Sequence, residues 1–216
     1  MKMYFDIGAN KGDYTEYLLN AGAEKVICVE ANIIQAQNLT HRFRDRNVVV
    51  INKAVSNETK PLKFYVCPEC DAVSSCDEQW RTHSRFSQPD RTWVETIVDT
   101  ITIDELVQTY GIPVHIKVDV EGYEYKAFLS MTKNYSQVRF EWAEEKVEEI
   151  ILTLNHLIKL GYTNFGVMAG DAYHMMPDEF MSGEDVIEFL RGKCDASRME
   201  LWGMVFCLNE NDAYVE

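Results

Sequence analysis

A lysine and two acids crowd one short stretch of this chain. In "IKVDVEGYE" (residues 116–124), Lys117 and Asp119 alternate, so an extended backbone points both to one side, and Glu121 follows at a glycine turn. Charges at the tip of an apolar strand are expensive to bury unless they are paired or have a chemical task. A carboxylate there can take a proton from a hydroxyl, or hold a cation together with waters. The expected roles are Asp119 as base or metal ligand, with Glu121 and Lys117 orienting it. Glu141, in "RFEW", ends the next strand. It either joins Asp119 around one Mg2+ ion or hydrogen-bonds without metal. His83 is a second candidate base.

A second constellation lies near the start. "YFDIGANKGDYT" (residues 4–15) runs an apolar strand into Asp6-x-Gly8-x-Asn10-x-Gly12 and then a helical pattern. Glycines let a ligand approach the backbone, and Asn10 tolerates left-handed angles better than other non-glycine residues. Glu30 ends the second strand about 20 residues on, where a carboxylate accepts ribose hydroxyls. The G-x-G-x-x-G spacing of pyrophosphate binders is absent. The loop therefore suits a ribose-bearing cofactor without a pyrophosphate.

Residues 67–95 lack periodicity and read as an active-site insertion. Trp80, His83, Arg85, Phe86 and Trp93 offer aromatic faces and polar donors suited to sugars. Tyr123 and Trp142, beside the strand tips, join Trp80, His83 and Arg85 as acceptor contacts. "CPEC", with Cys76 and His83 beyond, has spacing that a structural zinc site could use. Ser74 and Ser75 either meet a cofactor carboxylate or simply turn the chain. Glu144, Glu145, Glu148 and Glu149 read as a solvated helix face.

The elements that would position these residues alternate. Strands are expected at "MYFDIG", "KVICVEA", "VVVINKAV", "HIKVDVEG", "QVRFEW", "TNFGVM" and "LWGMVFCLN", with a short extra strand at "LKFYV". Helices follow at "DYTEYLLNAG", up to about Arg44, from a Thr102–Glu105 capping box to Gly111, and over residues 145–160. Nearly all-apolar strands between helices imply a doubly wound α/β sheet with seven strands. The 216 residues, 46% of them hydrophobic, suit a single domain over 1–216. A net charge of -14 argues against broad nucleic-acid binding. No apolar run is long enough for a membrane span, and Asp6 interrupts any secretion signal. With six cysteines, two of them in apolar strands, a reducing cytoplasmic setting is expected.

The motifs "DIGANKGDYT", "VEAN", "NKAVSN", "TITIDEL", "IKVDVEGYE" and "FEW" occur in an order that resembles FkbM-type S-adenosylmethionine-dependent methyltransferases. "SSCDEQWRTHSRF" and "LWGMVF" resemble one branch of that family. The resemblance implies a class I methyltransferase fold: a Rossmann-like, mostly parallel seven-stranded sheet with a reversed last strand and helices on both faces. It implies O-methylation of a sugar, glycan or other polar small-molecule acceptor. Carried over, the S-adenosylmethionine contacts are Asp6, Gly8, Asn10, Gly12 and Glu30, with Asn52, Ala54 and Val55 bordering the adenine. Lys11, Thr15, Ala31, Ser75 and Asp119 complete that set. Family members usually have sequence before the first strand, which here starts almost at Met1. The pocket is thus expected to be more open, or the chain to be part of a longer protein or an oligomer. Two rivals share the sheet: an NAD-type oxidoreductase and a non-catalytic methyltransferase-like subunit. The G-x-N-x-G spacing speaks against the first, and intact Asp6, Glu30 and Asp119 speak against the second.

Overall fold

The computed structural model describes residues 1–195 and 197–209. Strands β1 (Met3–Ile7), β2 (Lys25–Val29) and β3 (Val48–Ile51) alternate with helices α1 (Asp13–Asn20) and α2 (Ile33–Arg42). Short β4 (Ala54–Val55), β5 (Leu62–Val66), α3 (Glu78–His83), β6 (Val94–Val98) and β7 (Thr100–Ile101) follow. The second half holds α4 (Ile103–Tyr110), β8 (His115–Val118), α5 (Glu124–Phe128), β9 (Gln137–Ala143), α6 (Val147–Leu160), β10 (Asn164–Ala169), α7 (Gly183–Lys193) and β11 (Trp202–Leu208).

Seven strands form one sheet in the order β10-β11-β9-β8-β1-β2-β3. All its pairings are parallel except those of β11, which runs antiparallel to both β9 and β10. This is the seven-stranded arrangement with a reversed last strand that the resemblance implies. The expected third strand breaks into β3 and β4, and β4 pairs with β7 outside the main sheet. The "LKFYV" strand pairs antiparallel with residues 94–98. The insertion is therefore the interior of a β-hairpin.

Helix α4 starts at the expected capping box: Thr102 and Glu105 each bond the other's backbone N–H. Its Ile103 and Leu106 pack on one face of the sheet with Phe128 of α5, Leu154 and Leu157 of α6, and Val186 and Leu190 of α7. That face is wholly apolar, with Phe5, Ile7, Val29, Ile116, Val118, Val138 and Phe140. The opposite face carries Tyr4, Val26 and Cys28 under Tyr14 and Leu18 of α1 and Leu39 of α2.

Alternation also places charges on this second face. Asp6 pairs in register with Lys117, and Lys117 with Arg139. All three are buried. Lys117 Nζ lies 2.8 Å from Asp119 Oδ2, and Arg139 lies 3.4 Å from Asp171 with its guanidinium 4.1 Å from the Tyr14 ring centroid. Burial alone would lower the Lys117 pKa, but Asp119, Asp6 and Asp171 outweigh it and raise it. Removing the lysine takes the ion-pair partner from Asp119 and the stronger of two offsetting cations from Asp6 in a dry layer. Lys117→Ala is expected to lower unfolding free energy by about 3–5 kcal/mol in urea titration. A loss below about 1 kcal/mol would show that the row is not held by charge.

Candidate active site

The loop after β1 turns by left-handed backbone at every second residue: Gly8 at φ 79°, Asn10 at φ 44° and Gly12 at φ 84°. Gly8 has no alternative, because a Cβ there would lie 1.7 Å from the Asp119 carbonyl oxygen. The loop spends its own donors. Gly8 and Ala9 N–H bond the Val29 carbonyl, Gly12 N–H bonds the Ala9 carbonyl, and Asn10 N–H bonds Glu30 Oε2 at 2.7 Å. These groups are not free to cradle a pyrophosphate. Glu30 Oε1 accepts Asn32 N–H at 2.7 Å, so each oxygen keeps a lone pair for a further donor.

A pocket opens beside this loop. Gly8, Asn10, Glu30, Ala31, Ala54, Val55 and Asp119 line it, as expected, with Glu121 and Tyr123. Asn10 Oδ1 is buried with no partner among the described residues. Asn52 stands behind the wall, where its amide holds the Glu30 and Ala31 carbonyls. Asp6 and Thr15 also stand behind it: Asp6 is fully buried and accepts the Thr15 hydroxyl at 2.6 Å. Gly12 is the N-cap of α1, tight against Leu39 and Phe43. Lys11 is exposed and pairs with Asp71 at 3.3 Å. These four residues shape the loop rather than line the pocket.

The sequence reading missed Phe64, Gln35 and Asp71, which also line the pocket. Phe64 comes from the hairpin, and Gln35 hydrogen-bonds Asp71 across the rim. The hairpin pairing brings Phe64 and Asp71 there, which no local pattern announces, and Gln35 reaches them from α2.

At the strand tips, one ligand oxygen each from Asp119, Glu121 and Glu141 lie within 4.8 Å of one another. Among the described residues this is the one such gathering of three or more acid, histidine or cysteine groups. Cys67, Cys70, Cys76 and His83 are not gathered into such a group. Glu121 is held at φ 56°, a strained angle for a side-chain-bearing residue. Ser75 Oγ pins it by donating to its carbonyl at 2.6 Å, so Ser75 supports the site from behind. Glu124 braces the same turn by accepting Val120 N–H.

Several acceptor contacts expected from the sequence take structural places. Trp80 is 1% exposed and packs under Gly122, and Trp142 is buried with its indole N–H on the Met168 carbonyl. Neither offers a face to a ligand. Arg85 bonds Glu145 through Nε at 2.8 Å and also the Leu201 carbonyl. His83 is exposed at the last turn of α3, bonded to Thr82, and does not line the pocket. Tyr123 remains in the wall, its hydroxyl 3.4 Å from Ser56. Glu144 and Glu145 are not solvated: Glu145 takes Arg85, while Glu144 is buried and accepts the N–H groups of Asp195, Glu200 and Leu201.

Burial shifts these acids. It pushes Glu30 and Glu124 up to about 7, although backbone N–H bonds pull both down. Glu121 and Glu141 rise well above the carboxylate range, first by burial and then by neighbouring acids: Asp119 chiefly for Glu121, Glu121 chiefly for Glu141. Glu144 moves the other way. Burial pushes it up, but its three N–H partners and Arg198 hold it at about 2.

Groups raised on folding bind protons more tightly in the folded chain, so stability falls as pH rises from the ordinary 4.5 through about 7. Glu144 contributes stability above 4.5 that is lost as pH falls toward 2. The ligand-free Tm should therefore peak on the acid side of neutrality. A Tm that climbs steadily from about pH 5 to about pH 8 would contradict this balance.

Residues 6–191 match the family model of the methyltransferase FkbM domain. Among solved structures, the methyltransferase FkbM from Methylobacillus flagellatus aligns at 16% identity and a TM-score of 0.53. The alignment covers 95% of this chain but 43% of that one, so this chain spans less than half of its relative. A precorrin-6Y C5,15-methyltransferase from Geobacter metallireducens aligns at 10% identity over 97% of this chain and 80% of its own, with a TM-score of 0.48. No curated protein matches the chain.

Proposed function

This chain belongs to the FkbM-domain methyltransferase family, and from that premise we propose that it moves a methyl group from S-adenosylmethionine to a hydroxyl of a sugar, glycan or similar polar acceptor. The observation that carries this reading is the convergence of Asp119, Glu121 and Glu141 beside a pocket whose far wall holds Glu30.

The pocket residues fit the cofactor. Glu30 keeps a lone pair on each oxygen for the two ribose hydroxyls. Ala31, Ala54, Val55 and Phe64 form an apolar slot for a flat base, and the orphaned Asn10 Oδ1 offers an acceptor to a ligand donor. A loop that consumes its own N–H groups suits a ligand without phosphates and disfavours NAD. When bound, S-adenosylmethionine supplies a methyl group on a sulfonium, an electrophile that needs a deprotonating oxygen opposite it.

The chain's part is to orient that oxygen and take its proton. Lys117 engages Asp119, which leaves the Glu121–Glu141 pair as the proton acceptor. Two half-buried acids whose oxygens lie within 4.8 Å share a proton and titrate as a unit, which raises one of them above the ordinary carboxylate range. The acceptor hydroxyl's proton then passes to a carboxylate oxygen of this pair. Asp119 positions the turn and borders the cofactor.

A second reading uses the same oxygens. Three carboxylates are a donor set suited to a hard cation such as Mg2+, held by Asp119, Glu121 and Glu141. It would lower the acceptor hydroxyl's pKa there. Six free cysteines support a reducing, cytoplasmic setting. Among the described residues, no helix is long and apolar enough to cross a membrane.

Two results are expected in methyl-transfer assays read by mass spectrometry over a panel of sugars. Glu141→Gln lowers turnover by about 10²–10⁴-fold, and Asp119→Ala abolishes it. Calorimetry should show S-adenosylmethionine binding to both variants. Near-normal turnover by either sinks the assignment. Loss of turnover on chelation, restored by Mg2+, selects the cation reading; indifference to chelator selects the metal-free pair.

A further inference from the structure

Trp202 begins β11, and its side chain is 42% exposed. It pairs in register with Ala143, the last residue of β9, at the carboxyl edge of the sheet. In the same ladder Glu141 faces Met204 and Arg139 faces Phe206. Arg139 sits 5.7 Å from the Phe206 ring, which confirms the face. Trp202 therefore leaves the sheet on the side of Glu141, at a diagonal position about 7–8 Å away between backbones, within reach of an aromatic side chain.

The backbone around this exposed indole is fixed from several sides. Buried Glu144 accepts Glu200 N–H at 2.9 Å and Leu201 N–H at 3.1 Å. Arg85 donates to the Leu201 carbonyl at 2.9 Å, as does Glu144 N–H. Gly170 N–H donates to the Trp202 carbonyl at 2.9 Å. A surface residue of no consequence needs no such bracing. Here it aims the largest apolar side chain into solvent beside the three carboxylates.

We infer that Trp202 is a specificity-determining acceptor contact: its indole receives the C–H face of a pyranose ring while Glu141 and Glu121 accept hydroxyls at that ring's edge. The inference rests on the acceptor reading proposed above. A pyranose has one apolar face and a polar rim, and an indole beside carboxylates complements both. Carboxylates alone would not select a ring over a linear polyol; the aromatic platform does.

The test uses the whole chain with S-adenosylhomocysteine and a panel of methyl pyranosides of glucose, galactose, mannose, rhamnose and N-acetylglucosamine. Binding is followed by saturation-transfer NMR with S-adenosylhomocysteine present, and methyl transfer by mass spectrometry in separate reactions with S-adenosylmethionine as the methyl donor. At least one pyranoside should bind the wild type. Trp202→Ala should weaken it about tenfold, with the change in KM rather than kcat, and Trp202→Phe should restore most of it. S-adenosylhomocysteine affinity should be equal in all three proteins. The inference is overturned if Trp202→Ala binds pyranosides like the wild type. It is also overturned if no pyranoside binds while S-adenosylhomocysteine does, a result that leaves the methyltransferase reading standing. Failure of the wild type to bind S-adenosylhomocysteine overturns that reading, and this inference with it.

Discussion

Asp6, Lys117 and Arg139 sit side by side across three neighbouring strands in the dry layer beneath α1. No one of these charges could be buried alone at tolerable cost. The two neighbouring cations, Lys117 and Arg139, are offset by Asp6, Asp119 and Asp171, and Tyr14 lies against both. The row fixes the register of β1, β8 and β9, because a one-residue slip would turn each charge into the apolar face opposite. It also sets the height of the site. Asp119 is the next residue on that face beyond Lys117, and Gly8 closes against the carbonyl of Asp119. The cofactor loop and the carboxylate cluster are thus two ends of one buried electrostatic arrangement.

The insertion serves this arrangement from outside. Its sequence looks like a ligand surface, yet much of it is a clamp. Trp80 fills the space under Gly122, Ser75 holds the strained carbonyl of Glu121, Asp77 pairs with Lys146, and Arg85 pairs with Glu145. These contacts join the hairpin to the turn between β8 and α5 and to the segment that leads into α6. Strain at Glu121 persists because the surroundings over-determine it. The exposed aromatic residue on the side of Glu141 comes instead from β11, distant in sequence.

The sheet's strands and most of the pocket wall were legible because their signals are local: apolar runs, a glycine turn, an acid at a strand end; the reversed last strand came only with the family resemblance. Asn10 was legible for the same reason, since a single residue's backbone tolerance decides it. Trp80 and Trp142 misled because aromatic composition does not say which side of a chain faces inward. Glu144 and Glu145 misled because a cluster of acids at a helix start looks solvated until Arg85, Asp195, Glu200 and Leu201 arrive from far along the chain. Helix α7 did carry a signal that went unused: Ser182 caps Asp185 N–H ahead of Val186 and Leu190. The second hairpin strand, "VETIV", alternates as weakly as many loops do.

The reversed strand has a temporal consequence. β10 hydrogen-bonds within the main sheet only to β11, and β11 lies between β10 and β9. During synthesis, β10 emerges with no edge to join, and β9 waits with an open one. The β10 side of the sheet can close only when residues 202–208 arrive and slot between strands already made. Until then the other side, complete from β3 to β9, carries a bare strand edge. Assembly of this domain is therefore ordered in two acts, and the second, not the cofactor loop, is where a nascent chain is most open to wrong pairing.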